Sequence, residues 1–131
     1  MSLIAAVDGI LEAKRAESAL VQVGGITLEI FVPSNAIAGL PSAGSTVRLL
    51  THLIVREDDL LLYGFTDDRQ RTMFESLLGI NGVGPKAALA VLSVMSTEEL
   101  AAAIWSGDVA AISKAQGVGT VSYTHLRAHE T

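Results

Sequence analysis

At residue 66 the hydrophobic period of the chain changes, and that switch limits the fold more than any other feature. Between residues 3 and 65 the apolar residues fall in short β-rich runs broken by glycine, proline and acidic turns. From Asp67 onward they recur at three- and four-residue spacing. Strands followed by helices predict an α+β chain with two small domains, over 1–65 and 66–120.

Within the first segment, Ala19–Val23 and Ile26–Val32 flank Gly24-Gly25, a two-glycine turn between strands. Ile26, Leu28 and Ile30 alternate with Thr27, Glu29 and Phe31, which predicts one buried face for this hairpin. Ile4–Leu11 is the expected first strand, with Gly9 as a bulge or bend. Thr46–Val55 and Leu60–Phe65 supply two more, separated by Arg56-Glu57-Asp58-Asp59, and the turn-rich stretch from Pro33 to Gly44 has room for one helical turn. Five strands of this length are expected to close into a small barrel, an OB-type Greek key, because closure removes exposed edges.

The second segment reads as helices joined by glycine turns. Met73, Phe74, Leu77 and Leu78 place a helix over roughly 67–78, with Asp67-Asp68 as N-cap and first-turn acid. It stops at Gly79-Ile80-Asn81-Gly82-Val83-Gly84, and Pro85 suits the first position of a second helix that turns Ala88, Leu89, Val91 and Leu92 inward. Ser96-Thr97-Glu98-Glu99 is a capping box for a third, bearing Leu100, Ala103 and Ile104. Asp108 caps a fourth, Val109 to Ala115, and Phe74 and Trp105 are expected in the core. Leu77 and the Ile80–Gly84 turn repeat after 35 residues as Ile112 and Ala115-Gln116-Gly117-Val118-Gly119, which predicts two copies of one helix-hairpin-helix unit, the second incomplete. Residues 121–131 hold two of the three histidines and lose the apolar period. They are expected to be a non-native tail, resembling translated adapter text.

Composition narrows the function. The 131 residues contain no cysteine, which excludes a disulfide framework, a cysteine-ligated zinc site and a thiol nucleophile, and leaves a cytoplasmic location as the expectation. No apolar run nears the roughly 18 residues that span a bilayer, and no basic region precedes the first apolar stretch. With 9 Lys+Arg against 14 Asp+Glu the net charge is -5, so a uniformly basic nucleic-acid surface is excluded and DNA binding must arise from local geometry.

The sharpest local signal is Gly82-Val83-Gly84-Pro85-Lys86. A G-x-G turn leading into a helix presents consecutive backbone N–H groups at the positive end of the helix dipole, which suits a backbone phosphate, and Lys86 adds one charge. The bland alternative is a tight helix-helix turn. Gly79, Gly84 and Lys86 fall short of a nucleotide-binding P-loop, since Pro85 separates glycine from lysine and Ala87 stands where a magnesium-binding hydroxyl belongs. Glu57, Asp58 and Asp59 form an acidic cluster that a metal-dependent nuclease could use. Adjacent loop carboxylates are more often solvated, and a third role is repulsion of phosphates within a Debye length of about 8 Å. His52 is expected as an outward strand residue, and the helically spaced His125 and His129 lie in the tail and are set aside.

Val23-Gly24-Gly25-Ile26, Thr51-His52-Leu53-Ile54-Val55-Arg56-Glu57-Asp58, Leu62-Tyr63-Gly64-Phe65 and Asn81-Gly82-Val83-Gly84-Pro85-Lys86-Ala87-Ala88-Leu89-Ala90 together resemble the RuvA family of Holliday-junction branch-migration subunits, from about Ile4 to Gly119. The resemblance implies an OB-fold domain and a tandem helix-hairpin-helix domain, assembled as a homotetramer or octamer around an open four-way junction in recombination and DNA repair. It implies a DNA-binding subunit without catalysis of its own and without a cofactor or metal. Gly82, Val83, Gly84 and Lys86, with Gly117, Val118 and Gly119, would grip DNA backbones, and Glu57 and Asp58 would be the acidic pin. The family's third domain, which contacts the RuvB motor, is expected to be absent here. The chain departs from many relatives at Ala6 and Asp8, where they carry basic residues, at Thr27-Leu28, and after Thr120. The competing functions are a nuclease using Glu57, Asp58 and Asp59, and a generic single-strand-binding OB module, which the scarcity of aromatics in the strands disfavours.

Overall fold

A computed structural model of the chain describes residues 3–106. It divides into two compact units, Met1–Arg71 and Thr72–Thr131. Strands β1 (Ala6–Lys14), β2 (Ser18–Val23), β3 (Ile26–Phe31), β4 (Thr46–Val55) and β5 (Leu60–Phe65) close a barrel in the order β1-β2-β3-β5-β4, with α1 (Ser34–Ile37) in the connector between β3 and β4. Helices α2 (Asp68–Leu78), α3 (Pro85–Val94) and α4 (Thr97–Ser106) follow. The architecture is the expected α+β one, a five-stranded OB-like barrel and then helices. The fourth helix expected over 109–115, the Gly117–Gly119 turn and the tail lie outside the described residues. Among the described residues no helix is long and apolar enough to cross a membrane.

Closure depends on β1, which serves two partners. Its first half pairs with β4, from Ala6 opposite Leu50 to Ile10 opposite Thr46, and its second half with β2, from Ile10 opposite Gln22 to Lys14 opposite Ala19. Gly9 lies opposite Val47 in the regular part of the first ladder, and the irregularity falls between Leu11 and Ala13. The expected bulge is therefore displaced, and Gly9 has a different job. A Cβ there would run into the Gln22 carbonyl oxygen and lie 2.8 Å from Val21 Cγ1, so glycine is what lets β2 pass this close to β1.

The barrel interior holds Val7, Leu11, Ala19, Val21, Ile30, Val32, Val47, Leu49 and Leu62, and Ile37 and Leu40 from the connector join the same cluster. Each of the valine, leucine and isoleucine side chains among them contributes about 1.5–3 kcal/mol of transfer free energy when fully buried. The two buried polar residues of the barrel, Thr51 and Ser18, are satisfied. The Thr51 hydroxyl donates to the Ile4 carbonyl at 2.6 Å and its amide to Ala5 at 2.9 Å, while the Ser18 hydroxyl donates to Glu29 at 2.8 Å.

The alternation expected in β3 holds only at its far end, where Ile30 is buried; Leu28 is half-buried and Ile26 is 63% exposed. The reason is topological. β3 meets β5 in a single parallel pair, Phe31 with Tyr63, so its first residues have a strand neighbour on one side only.

The helices begin as their sequences dictate. Asp67 Oδ1 accepts the Gln70 amide at 2.8 Å, the N-cap bond expected of it. At the head of α4 the Glu99 amide donates to Ser96 Oγ at 3.1 Å and the Ser96 amide to Glu99 Oε1 at 3.0 Å, a complete capping box. Phe74, Leu77, Ala88, Leu89, Val91, Leu92, Leu100 and Ala103 are buried. Trp105 is not a core residue: it is 93% exposed. At about 100° per residue it sits roughly 140° round α4 from Leu100 and in line with the exposed Glu98, two turns earlier.

Two glycine substitutions should separate close approach from mere turn formation. Gly9→Ala is expected to destabilise the barrel by about 1–3 kcal/mol through overpacking. Gly25→Ala, with no atom within 4 Å of the added Cβ, should stay within about 0.5 kcal/mol of the parent in urea unfolding.

Candidate nucleic-acid interface

The turn between α2 and α3 is built from backbone alone. Gly79 and Ile80 amides donate to Ser76 and Leu77 carbonyls at 3.1 and 3.0 Å, which winds down α2, and the Val83 amide donates to Ile80 at 3.1 Å. Gly82 has φ +87°, the left-handed region that a side chain disfavours. Gly84 is the N-cap of α3, with φ −90° and ψ 177° and no side-chain cap, and Pro85 follows in the first turn. The first α3 bond runs from the Ala88 amide to the Gly84 carbonyl at 2.9 Å, so the Lys86 and Ala87 amides precede the ladder and their N–H groups belong to the open helix end.

The two glycines differ in what they supply. Gly82 is required by its backbone conformation, whereas the φ of Gly84 is one that any residue adopts. What Gly84 supplies is room: no atom lies within 4 Å of where its Cβ would be, and the residue is exposed. The structure thus brings Gly82, Val83, Gly84 and Lys86 together at the positive end of a ten-residue helix, with Lys86 exposed and Ala87 and Ala88 buried behind it. Gly117, Val118 and Gly119 lie outside the described residues.

On the barrel, Arg56, Glu57, Asp58 and Asp59 form the exposed loop between β4 and β5, closed by the Arg56 amide donating to the Asp59 carbonyl at 2.9 Å. Among the described residues no three acidic or histidine side chains converge where a metal ion could sit. His52 lies half-buried in β4 opposite Tyr63. Burial pushes the Tyr63 phenol above its ordinary range, with Arg56 opposing that rise and Asp59 adding to it.

An open groove of about 430 Å³ beside β3 and β5 is lined mainly by Leu28, Phe31, Leu53 and Leu60–Leu62. Its polar lining is committed elsewhere, since Thr27 donates to Glu12 and Glu29 accepts from Ser18 and Arg15. The barrel also offers no open aromatic platform for stacking bases: Phe31 is half-buried against Tyr63, and Tyr63 and Phe65 are buried.

Residues 3–64 match the family model for the RuvA N-terminal domain, and residues 74–121 match that for a SAM-like helix-hairpin-helix tandem. The barrel belongs to the RuvA N-terminal domain family. Similar proteins, each named Holliday junction branch migration complex subunit RuvA, come from Roseiflexus sp. (strain RS-1), Herpetosiphon aurantiacus and Escherichia coli O139:H28. They are 48% identical over 117 residues, 44% over 124 and 41% over 117, covering 89%, 95% and 89% of this chain. The chain spans about three fifths of the length of these RuvA relatives, at 59%, 63% and 58%. The tandem match runs through both glycine turns, Gly82–Gly84 and Gly117–Gly119, and so agrees with the 35-residue repeat read from the sequence.

Conformation and room are separable by stability. Gly82→Ala, forced to hold a left-handed φ, is expected to cost about 1 kcal/mol, while Gly84→Ala should change unfolding free energy by less than about 0.5 kcal/mol. Chemical denaturation of the two variants side by side checks this.

Proposed function

We propose that this chain is a structure-specific DNA-binding subunit that holds a four-way junction open while a separate RuvB-type ATPase drives branch migration. The observation that carries the reading is the exposed, uncapped α3 terminus behind two glycines, in a chain resembling branch-migration subunits along most of its length. In this reading Gly82, Val83, Gly84 and Lys86, together with Gly117, Val118 and Gly119, hold sugar-phosphate backbones through main-chain N–H groups. Such contacts position a protein without reading bases, so the preference is for shape. Glu57 and Asp58 act as a pin that keeps phosphates away from the strand crossover. The subunit acts in the cytoplasm, carries no catalytic residue and no cofactor, and works as a homotetramer, which multiplies weak grips into useful affinity.

Charge pairing supports a mechanism based on backbone groups. Arg15 pairs with Glu29 and Arg48 with Asp8 on the barrel, and Arg71 pairs with Asp68 within α2, so three cations already face a carboxylate. Exposed pairs of this kind add at most about 1 kcal/mol of stability each, but they lower the local positive potential available to DNA.

Fluorescence anisotropy with a four-way junction, a linear duplex and a single strand of matched sequence tests the reading, and junction preference is expected. Gly84→Val should lower junction affinity at least about tenfold, worth 1.4 kcal/mol, at unchanged melting temperature, whereas Lys86→Ala should cost only a few-fold. Glu57→Gln with Asp58→Asn should bind the junction as well as the parent or better. Equal affinity for junction and duplex would sink the proposal, and magnesium-dependent cutting that this double variant abolishes would point to a nuclease instead.

A further inference from the structure

Arg56 stands directly before three acidic residues, yet among the described residues its guanidinium enters no ion pair with Glu57, Asp58 or Asp59. The loop geometry accounts for this. The Arg56 amide is fixed to the Asp59 carbonyl at 2.9 Å, at the base of the loop, while Glu57 and Asp58 occupy its tip. The charge of Arg56 is instead felt at Tyr63, in the body of β5, where it favours the phenolate. An exposed arginine at this spot therefore keeps its donors uncommitted beside the most acidic segment of the barrel.

We propose that Arg56 is a phosphate-binding residue, so that the β4–β5 loop carries two signs: a guanidinium at its base that holds one DNA backbone phosphate, and carboxylates at its tip that repel the others. This rests on the junction-binding reading and adds to it an attractive contact on the barrel. A planar guanidinium with five fixed donors matches phosphate oxygens in a bidentate way that an ammonium does not. Without such an anchor the loop would only repel, and nothing on it would fix where along a strand the repulsion acts. With the anchor, one phosphate is registered against the barrel and its neighbours meet Glu57 and Asp58 within a Debye length of about 8 Å.

The test is a salt titration of junction and duplex binding by the full chain and by Arg56→Gln and Arg56→Lys, with melting temperatures measured alongside. A phosphate neutralised by a cation contributes about 0.9 to the slope of log K against log salt. Arg56→Gln is expected to reduce the slope by about that amount per bound copy, to weaken binding several-fold, and to leave the melting temperature unchanged. Arg56→Lys should retain the slope and recover part of the affinity. If Arg56 served only as a counter-charge for the acidic loop, the Gln variant would keep the parental slope, and that result overturns the proposal. Should the Gln variant fail to fold, Arg56→Met carries the same comparison. A parent that binds junction and duplex equally, with the slope still reduced in the variant, would remove the junction reading and keep the Arg56 contact; a parent that binds neither removes both.

Discussion

The barrel hangs on one strand serving two partners. β1 pairs with β4 through its first half and with β2 through its second, and only a glycine at position 9 lets the β2 backbone come close enough for both ladders to form. The run into β1 is fastened as well: Ile4 and Ala5 carbonyls accept from the hydroxyl and amide of Thr51, and Arg71 donates to the Ala5 carbonyl at 2.9 Å. Once β1 and β4 are locked, the β4–β5 hairpin is registered residue by residue from Leu50 opposite Phe65 to Val55 opposite Leu60, and the loop from Arg56 to Asp59 is held at a defined end of the barrel. The charge of that loop can act on a partner only because the strands beneath it do not slip.

The helical unit meets an opposite demand. Its chain is acidic overall, so an anion must be attracted by something other than net charge. An uncapped helix start supplies that attraction through oriented N–H groups, provided that no side chain caps them and no Cβ stands in front. Gly82 and Gly84 meet these two conditions in different ways, one by permitting the turn and the other by leaving the approach open. Buried Ala87, Ala88 and Leu89 hold the first turn of α3 from behind, so the amides are set in place before any ligand arrives.

Features carried by neighbouring residues were legible in the sequence. The β4 and β5 limits, the Asp67 cap, Pro85 at the head of α3 and the Ser96–Glu99 capping box each depend on a few consecutive residues and fall where the sequence puts them. Features set by distant neighbours were not. Gly9 reads as a bulge or bend because a single strand cannot show that another backbone crosses close to it. Ile26 fitted an alternating pattern, yet β3 lacks a second strand neighbour at that end, which only the barrel order reveals. Trp105 reads as a core residue from helical spacing, although counting from Leu100 places it on the face of Glu98. At the site, the glycines and Lys86 were visible as a motif, while the free guanidinium of Arg56 was hidden inside a segment read only as acidic.

The two contact types assigned to this chain differ in how they respond to salt, and that difference ties the loop to the turn. Main-chain N–H groups bind a phosphate without bringing a mobile positive charge, so they release few condensed counterions and add affinity that salt removes only slowly. Lysine and arginine contacts release counterions, and their contribution is the part that falls with ionic strength. In an acidic chain where Arg15 and Arg48 on the barrel and Arg71 on α2 are paired, fewer cations among the described residues are left to generate a steep salt dependence. The glycine turns would therefore set a baseline grip on any backbone of suitable shape. The uncommitted cations at Arg56 and Lys86 would set how that grip varies with conditions, and the carboxylates at Glu57 and Asp58 would decide where on the DNA it cannot close.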